Sequence, residues 1–174
     1  LTFDSGTIDL ANDGRLREHR RADRITKVAP VRYDVSAIAP RWSTFLSEAL
    51  PDAEIRGIVQ RYLGYACTAS VGEQCFVVAL GAGNNGKSVM AETVRRVLGD
   101  YTRDTPTDTL MQSKHGRGTE NDVARLRSAR FVTAKETEQG KRLDEARVKQ
   151  LTGGDTVTAR FLFKEHFESV PAFK

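Results

Sequence analysis

The octapeptide Gly-Ala-Gly-Asn-Asn-Gly-Lys-Ser, at residues 81–88, constrains this chain more than any other feature. It fits the pattern G-x-x-x-x-G-K-[ST], in which glycines let the backbone turn closely enough to point successive N–H groups at phosphate oxygens. The uninterrupted apolar run at residues 76–80 leads directly into it. Such a run predicts a strand buried on both faces. The pattern therefore indicates a phosphate-binding loop that follows a buried strand.

The residues after the loop predict a helix over 87–98. Met90, Val94 and Val97 share one side of it, and Gly99 is the expected C-cap. The N-terminus of this helix would point at the phosphates, where free N–H groups and the helix dipole favour anions. ATP and Mg²⁺ are thus the predicted cofactors. The predicted ATP-binding residues are Gly81, Ala82, Gly83, Asn84, Asn85, Gly86, Lys87, Ser88 and Val89.

Two of these residues have distinct predicted roles. Lys87 would neutralise charge on the β- and γ-phosphates, and the Ser88 hydroxyl would hold Mg²⁺. Lys87 is accordingly a predicted catalytic residue, and Ser88 a predicted metal ligand.

A P-loop ATPase also needs an acid at the end of a neighbouring strand. Residues 131–136 read as such a strand, preceded by a helix over 119–129 that begins with a capping box at Thr119 and Asp122. Glu136 then lies at the strand end, where a parallel sheet presents side chains to a ligand. It is predicted to be catalytic and to bind Mg²⁺, with Glu138 in reserve. The alternative is that both are ordinary surface acids within the charged run 135–145.

Composition sets wider limits on this chain. Its 174 residues, 39% of them hydrophobic, can bury one good core with a small appended region. The 27 Lys and Arg against 23 Asp and Glu permit an anionic partner without proving one. Two cysteines are too few for a secreted disulfide framework, so a reducing cytoplasm is the simplest compartment. No apolar run approaches the roughly 20 residues that span a bilayer, so no membrane partner is expected.

The first 70 residues predict a short strand and two helices. Residues 2–10 alternate as a strand does, a turn follows at 12–14, and the helices begin near Pro40 and after the capping residue Asp52, with Gly64 ending the second. Their apolar faces are predicted to be core: Trp42, Phe45, Leu46, Ala49, Ile55, Ile58, Val59, Tyr62 and Leu63.

The basic segment 15–27 lies within this region. It holds six Lys and Arg residues, but Glu18 and Asp23 interrupt it and no aromatic residue accompanies them. A solvated face is therefore favoured over a DNA-binding patch.

The motifs of this chain, taken in order, resemble those of a known protein family. The order GAGNNGKS, then ARLRSARFVTAKETEQGKRLDEARVKQLTGGDTVTARF, resembles the superfamily 3 helicases of the phage/plasmid primase-helicase type, a group that includes the poxvirus primase-helicase. The segments DRITKVAPVRYD and LGYACTASVGEQCFVVALGAGNNGKS are also similar to that family, so the resemblance covers about residues 2–174. Its strongest motif is Lys149 with Leu-Thr-Gly-Gly-Asp at 151–155 and Arg160.

The resemblance implies an α/β fold. Residues 1–70 would be a small strand-plus-helix region, and 71–174 a P-loop (AAA+-like) ATPase core with a mainly parallel sheet. It also implies a hexameric ring that encircles DNA, a nucleotide at each subunit interface, and a hairpin after the acidic strand that reaches into the pore. The expected activity is ATP-dependent DNA unwinding in the cytoplasm of the bacterial host of a phage or plasmid.

The sequence departs from the family pattern in two ways. Lys135 precedes Glu136 where relatives usually carry a small or acidic residue. The family's polar sensor Asn and arginine finger are expected after residue 174, so we expect a C-terminally truncated fragment whose own ATP hydrolysis is weak. The upstream primase domain is also expected to be absent.

Residues 156–163 have strand periodicity and predict the first half of a hairpin. Val157, Ala159, Phe161 and Phe163 would share one face, and 167–170 would return as the second strand. With the resemblance, the tip residues Lys164 and His166, together with Arg160, are predicted to contact single-stranded or forked DNA. The alternatives are a plain surface turn and, for Arg160, an ion pair inside the fold.

A rival function remains open on the sequence alone. The chain could be a nucleotide-gated assembly or DNA-binding module without productive hydrolysis. Stimulation of ATP hydrolysis by single-stranded DNA would separate the two.

Overall fold

The computed structural model describes residues 1–12, 14–112, 120–135 and 142–174. The chain forms two compact units, and each is made from two stretches of sequence. The first unit comprises Leu1–Thr68 and Val78–Asp100, and the second comprises Ala69–Val77 and Tyr101–Lys174.

The first unit opens with a small antiparallel sheet. Strands β1 (Thr2–Phe3) and β2 (Gly6–Ile8) form a tight hairpin, and β3 (Leu16–Arg17) pairs with the other edge of β2. Phe3 and Ile8 are buried. The single strand predicted over 2–10 is therefore two short strands, because the chain reverses between Phe3 and Gly6.

Two helices follow, as predicted. Helix α1 (Pro40–Ala49) buries Leu46, and α2 (Ala53–Ala66) begins where the Asp52 carboxylate accepts the N–H groups of Glu54 at 2.8 Å and Ile55 at 3.2 Å. The predicted end at Gly64 was wrong, since α2 runs on to Ala66. The predicted core face is only partly covered, because Ile55 and Ile58 are each 50% exposed.

Helix α3 (Lys87–Leu98) has the predicted bounds and ends at Gly99, whose N–H bonds to the Arg95 carbonyl. A 3₁₀ turn (Gly99–Tyr101) follows. Asp100 then ties this end of the helix to the N-terminal region: its carboxylate accepts the Val28 N–H at 3.2 Å, and its carbonyl accepts Lys27 Nζ at 3.0 Å. Leu98 is buried beside these contacts.

The strand predicted just before the phosphate loop is not formed. Residues 74–80 have no regular secondary structure and are exposed, Val78 to 60% and Leu80 to 86%. A strand is held by backbone hydrogen bonds to a neighbour. Within the described ranges, no backbone group of residues 76–80 has such a partner. Apolar composition alone therefore does not make this segment a strand.

The second unit contains a parallel pair of strands. Strands β4 (Thr102–Thr105) and β5 (Phe131–Ala134) pair from Thr102 opposite Phe131 to Thr105 opposite Ala134. A 3₁₀ turn (Thr107–Leu110) and helix α4 (Glu120–Arg125) lie between them in the chain. Lys174 lies along β5 as well, since its N–H bonds to the Arg130 carbonyl at 3.0 Å and its carbonyl accepts the Val132 N–H at 2.9 Å. Strand β5 is therefore hydrogen-bonded to two backbone neighbours.

Strand β5 confirms the strand predicted at its position, and helix α4 confirms the helix in part. Helix α4 is shorter than the predicted 119–129, and Thr119, the first residue of the proposed capping box, lies outside the described residues.

Helix α5 (Glu145–Thr152) and a hairpin complete the second unit. The helix begins where the Asp144 carboxylate accepts the Arg147 N–H at 3.0 Å. Strands β6 (Val157–Ala159) and β7 (Phe167–Ser169) pair antiparallel. The buried cluster of this unit draws on α4, α5 and β6, and comprises Val123, Ala124, Leu151, Val157 and Ala159.

The predicted hairpin therefore exists, with shorter strands. Val157 and Ala159 share one face as expected, and both are buried, but β6 ends at Ala159 and residues 160–166 are exposed. The expectation that Phe163 continues this face was wrong, because the strand alternation stops before it and its side chain is 99% exposed.

Within the parts of the chain that the structure describes, no helix is both long enough and apolar enough to cross a membrane.

Candidate functional site

The phosphate-loop sequence forms an exposed turn that leads into α3. Lys87, the first residue of the helix, folds its side chain back across the turn. Its Nζ lies 3.0 Å from the Gly81 carbonyl oxygen and 2.8 Å from Asn85 Oδ1. Both acceptors are neutral and the contacts are exposed, so each bond contributes little net free energy. An anionic oxygen would bind the ammonium more strongly than either.

The loop depends on backbone conformations that favour glycine. Gly83 and Gly86 have φ of 96° and 83°, and Asn84, a residue type that tolerates this region, has φ of 47°. Gly86 is also tightly packed, because a Cβ there would lie 3.0 Å from Phe45 Cε2 and 3.1 Å from the Ala49 Cβ. The glycines at these positions therefore shape the turn that brings Lys87 over Gly81.

The turn and the start of α3 leave a set of backbone donors uncommitted. Gly86, the N-cap, provides no side-chain cap, and the first N–H bonded back to the turn is that of Met90, to the Gly86 carbonyl at 2.9 Å. Within the described chain, the N–H groups of residues 82–89 meet no protein acceptor. A helix N-terminus with free N–H groups and a lysine beside it is the arrangement that binds a phosphate.

The predicted Mg²⁺ site is described only in part. Ser88 is exposed in the first turn of α3, next to Lys87. The predicted acids Glu136 and Glu138 lie outside the described residues. Among the residues that are described, no group of three or more His, Cys, Asp or Glu side chains is arranged to hold a metal ion. Ser88 is therefore the member of the predicted Mg²⁺ site that lies within the described residues.

The end of β5, just before Glu136, is tied to its surroundings by two threonines. Thr133 Oγ1 donates to Asp104 Oδ1, across the β4–β5 pair, and Thr107 Oγ1 donates to the Lys135 carbonyl. Sequence reasoning missed Asp104, because β4 (Thr-Arg-Asp-Thr) carries no apolar residue that would mark it as a strand. The exposed Lys135 is thereby held at the C-terminal edge of the parallel pair.

The Leu-Thr-Gly-Gly-Asp motif ends helix α5 and turns the chain toward β6. The Gly153 N–H bonds to the Lys149 carbonyl at 2.8 Å, and the Gly153 carbonyl accepts Gln74 Nε2 at 3.4 Å. Gly154 has φ of 78°, and a Cβ there would lie 3.0 Å from Val71 Cγ2. The motif therefore packs against residues just upstream of the apolar run at 76–80.

The predicted DNA-contacting residues lie on one connection, residues 160–166, which we call the β6–β7 loop. Arg160 Nε lies 2.9 Å from Glu120 Oε2, and His166 Nδ1 lies 3.6 Å from the same oxygen. All three side chains are about half exposed. The alternative that Arg160 forms an ion pair is thus confirmed, although at the surface and not inside the fold. Sequence reasoning missed Glu120, because 40 residues separate it from Arg160.

Lys164 differs from Arg160 and His166 in its surroundings. It is exposed, its N–H closes a turn onto the Phe161 carbonyl at 3.0 Å, and no carboxylate in the described part of the chain pairs with its ammonium. Lys164 is therefore the member of the predicted set that is available to a phosphate without breaking an ion pair.

The basic segment near the N-terminus is neutralised in part by its own acids. Both guanidinium NH groups of Arg17 donate to the Asp23 carboxylate, at 2.8 and 3.0 Å. These hydrogen bonds hold the pKa of Asp23 below its usual value. This pairing and the exposure of the segment agree with the predicted solvated face.

Comparison with known proteins adds independent information. The sequence model of a family described as "D5 N terminal like" matches residues 1–51. A "Putative helicase" of Acanthamoeba polyphaga mimivirus is 31% identical over 181 aligned residues, which cover 100% of this chain and 18% of that protein. A "Putative helicase" of Frog virus 3 is 28% identical over 75% of this chain and 14% of its own length. A "Putative primase" of African swine fever virus is 28% identical over 67% of this chain and 12% of its own length.

These comparisons support a D5-like primase-helicase family. The chain spans less than a fifth of the length of each of these relatives. All three are viral proteins, and none of the three comes from a phage or plasmid. The expected phage or plasmid origin of this chain therefore has no support from them.

Proposed function

We propose that this chain is part of an ATP-driven DNA helicase motor of the D5-like family, and that residues 81–89 bind ATP with Mg²⁺. The observation that carries the proposal is the start of α3, where Lys87 and the uncommitted N–H groups of residues 82–89 lie together on an exposed glycine-rich turn. Positive charge and free donors at a helix N-terminus are what the phosphates of a nucleotide require.

The roles of the residues follow from this geometry. Lys87 exchanges two neutral acceptors, the Gly81 carbonyl and the Asn85 amide oxygen, for phosphate oxygens. Ser88, one residue later in the first turn, offers a hydroxyl to Mg²⁺. The ion, when bound, supplies charge neutralisation at the β- and γ-phosphates.

The proposal includes a P-loop core with a mainly parallel sheet. The parallel β4–β5 pair, with α4 in the connection between its strands, supports this, because parallel neighbours need such a crossover.

Glu136 is proposed to hold Mg²⁺ and to polarise the attacking water, since it lies two residues after the end of β5 in sequence. Glu136→Gln would then retain ATP but stop turnover in the intact protein, because the amide cannot act as a base or an anionic ligand. The same change at Glu138 is the matched comparison. Loss of turnover only in Glu138→Gln would move the role to that residue.

The ring expected from the family resemblance belongs to the same proposal. A neighbouring subunit would supply an arginine finger, which is worth about 10³ to 10⁵ in rate in related phosphoryl-transfer systems. The chain alone is then expected to bind ATP, hydrolyse it very slowly and associate weakly. The rival, a nucleotide-gated module without productive hydrolysis, predicts no stimulation of turnover by single-stranded DNA in the intact protein.

The direct test is Lys87→Ala. We expect ATP affinity to fall at least about 10-fold, because charge-assisted bonds to phosphate are lost, while the thermal unfolding transition is retained because no core is emptied. A fluorescent ATP analogue measures the first quantity and circular dichroism the second. Lys27→Ala is a matched control, since Lys27 also donates to a backbone carbonyl in the same unit. Tight ATP binding by folded Lys87→Ala would remove Lys87 from the site.

A further inference from the structure

The β6–β7 loop is fixed to the second unit by its first residues. Arg160 pairs with Glu120, the Phe161 ring stacks on the Phe167 ring with centroids 5.7 Å apart, and the Leu162 N–H donates to Asn121 Oδ1 at 3.3 Å. His166 meets Glu120 at the other end of the loop. Both ends of the connection are thereby held, and Phe163 and Lys164 stand at its apex.

Phe163 has two features that are unfavourable for an ordinary loop residue. Its ring is 99% exposed, although phenylalanine is among the residues that gain most from burial. Its φ is 62°, at the third residue of a turn that the Lys164 N–H closes onto the Phe161 carbonyl. That position favours glycine or asparagine. The fold therefore presents an aromatic ring to solvent at a place where a smaller residue would be less strained.

The charges around this ring point to an anionic partner. Lys164 follows Phe163 directly and has no ion-pair partner in the described chain, and Arg160 and His166 lie at the two ends of the same loop. Three basic residues accompany one acid, Glu165, within the loop. An apolar partner alone would make use of Phe163 but would leave Lys164 without a counter-charge.

We propose that Phe163 stacks on a base of single-stranded DNA while Lys164 pairs with an adjacent phosphate. The inference rests on the proposed helicase function and deepens it, because it adds a base contact to a loop whose predicted DNA contacts come from its basic residues. Stacking on an aromatic ring does not depend on sequence, since every base has a π-face. Such a contact suits a protein that must engage any sequence.

The test measures binding of a fluorescent oligo(dT) to the whole chain by anisotropy. We expect Phe163→Ala to weaken binding about 5- to 100-fold, the range of one base–aromatic stack, and Phe163→Trp to retain it. Leu162→Ala is a matched control in the same loop, because Leu162 is 59% exposed but has no aromatic ring, and it is expected to change affinity less than about 2-fold.

An abasic oligonucleotide of the same length is the second ligand, because it keeps the phosphates and removes the bases. The original chain and Phe163→Ala are expected to bind it equally. An equal loss on both ligands would overturn the stacking role, as would unchanged oligo(dT) binding by Phe163→Ala. If Phe163→Ala altered sedimentation instead of DNA affinity, a second copy of the chain would be the partner of this ring.

Two failures are distinguishable from each other. If the original chain binds oligo(dT) and Phe163→Ala binds it equally well, the stacking inference fails and the DNA-binding function stands. If the original chain binds no single-stranded DNA, both the inference and the DNA half of the proposed function fail. ATP binding at Lys87 is judged separately by its own experiment.

Discussion

The carboxylate of Glu120 and the guanidinium of Arg160 form an ion pair between the start of α4 and the end of β6, with 2.9 Å between Oε2 and Nε. The same oxygen lies 3.6 Å from His166 Nδ1. One acid therefore lies against two of the three basic residues that the sequence analysis predicts to contact DNA. A phosphate would have to compete with Glu120 for both.

Replacing Glu120 by Gln should strengthen binding to single-stranded DNA. We expect a gain of about 2- to 5-fold, the size of a released surface ion pair, and a steeper dependence of affinity on salt, because each added phosphate contact contributes about −0.7 to the slope of log K against log salt. Anisotropy titrations at several salt concentrations measure both. Glu165→Gln is matched for net charge but breaks no ion pair among the described residues, so an equal gain in that variant would contradict the competition.

Replacing Lys164 and His166 together by Ala should do the opposite. We expect weaker binding of single-stranded DNA and a flatter salt slope, because fewer phosphates are neutralised. Most of the change should come from Lys164, because no described carboxylate pairs with it, whereas His166 lies beside Glu120. Arg20→Ala with Arg21→Ala, in the exposed basic segment, is the comparison. If that pair altered DNA binding and the loop pair did not, the assignment of the β6–β7 loop would be wrong.

Two glycines of the phosphate loop should respond differently to Ala. Both have positive φ, but a Cβ at Gly83 would meet no atom within 4 Å, whereas one at Gly86 would lie 3.0 Å from Phe45 Cε2. We expect Gly83→Ala to lower the free energy of unfolding by roughly 1–2 kcal/mol through backbone strain, and Gly86→Ala to lower it by about 1 kcal/mol more through overpacking. Denaturant titrations of both variants measure this, and equal losses would mean that α1 moves away freely.

The Arg17–Asp23 pair predicts a pH-dependent contribution to stability. Because Arg17 lowers the pKa of Asp23, the pair stabilises the fold above the unfolded-state pKa of about 3.9, and this contribution is lost as the pH falls through the lower folded-state pKa. Asp23→Asn should therefore lower Tm at neutral pH and have little effect near pH 2. Thermal unfolding of Asp4→Asn, another exposed carboxylate, is the control. A Tm difference for Asp23→Asn that persists undiminished at low pH would contradict the linkage.

Local signals predicted the elements that depend on local interactions. Helix α3 was predicted with its correct bounds, because its apolar spacing and Gly99 both lie within the segment itself. The N-cap of α2 at Asp52 was likewise predicted from the sequence. Strand β4 was missed, since its four residues are polar and it pairs with β5, which is distant in the chain. The strand at residues 76–80 was predicted from composition, but strand formation requires a partner that the sequence of the segment does not specify.

The candidate site was likewise predicted where it depends on residues adjacent in sequence and missed where it depends on distant ones. The octapeptide predicted the turn. Lys87 and Ser88 lie together at the start of α3 because they are adjacent in sequence. The pairing of Arg160 with Glu120 was not readable, because it joins residues far apart in the chain that only the packing of α4 against the hairpin brings together. The exposed position of Phe163 was not predicted, for the related reason that periodicity does not reveal where a strand stops.

The apolar segment at residues 76–80 also has a consequence for the behaviour of the chain in solution. It joins five uncharged apolar residues without proline, and in the described chain its backbone groups have no pairing partner. Segments of this kind add to one another edge to edge and seed aggregates. Concentrated preparations of this chain should therefore precipitate through intermolecular β-structure that begins at residues 76–80.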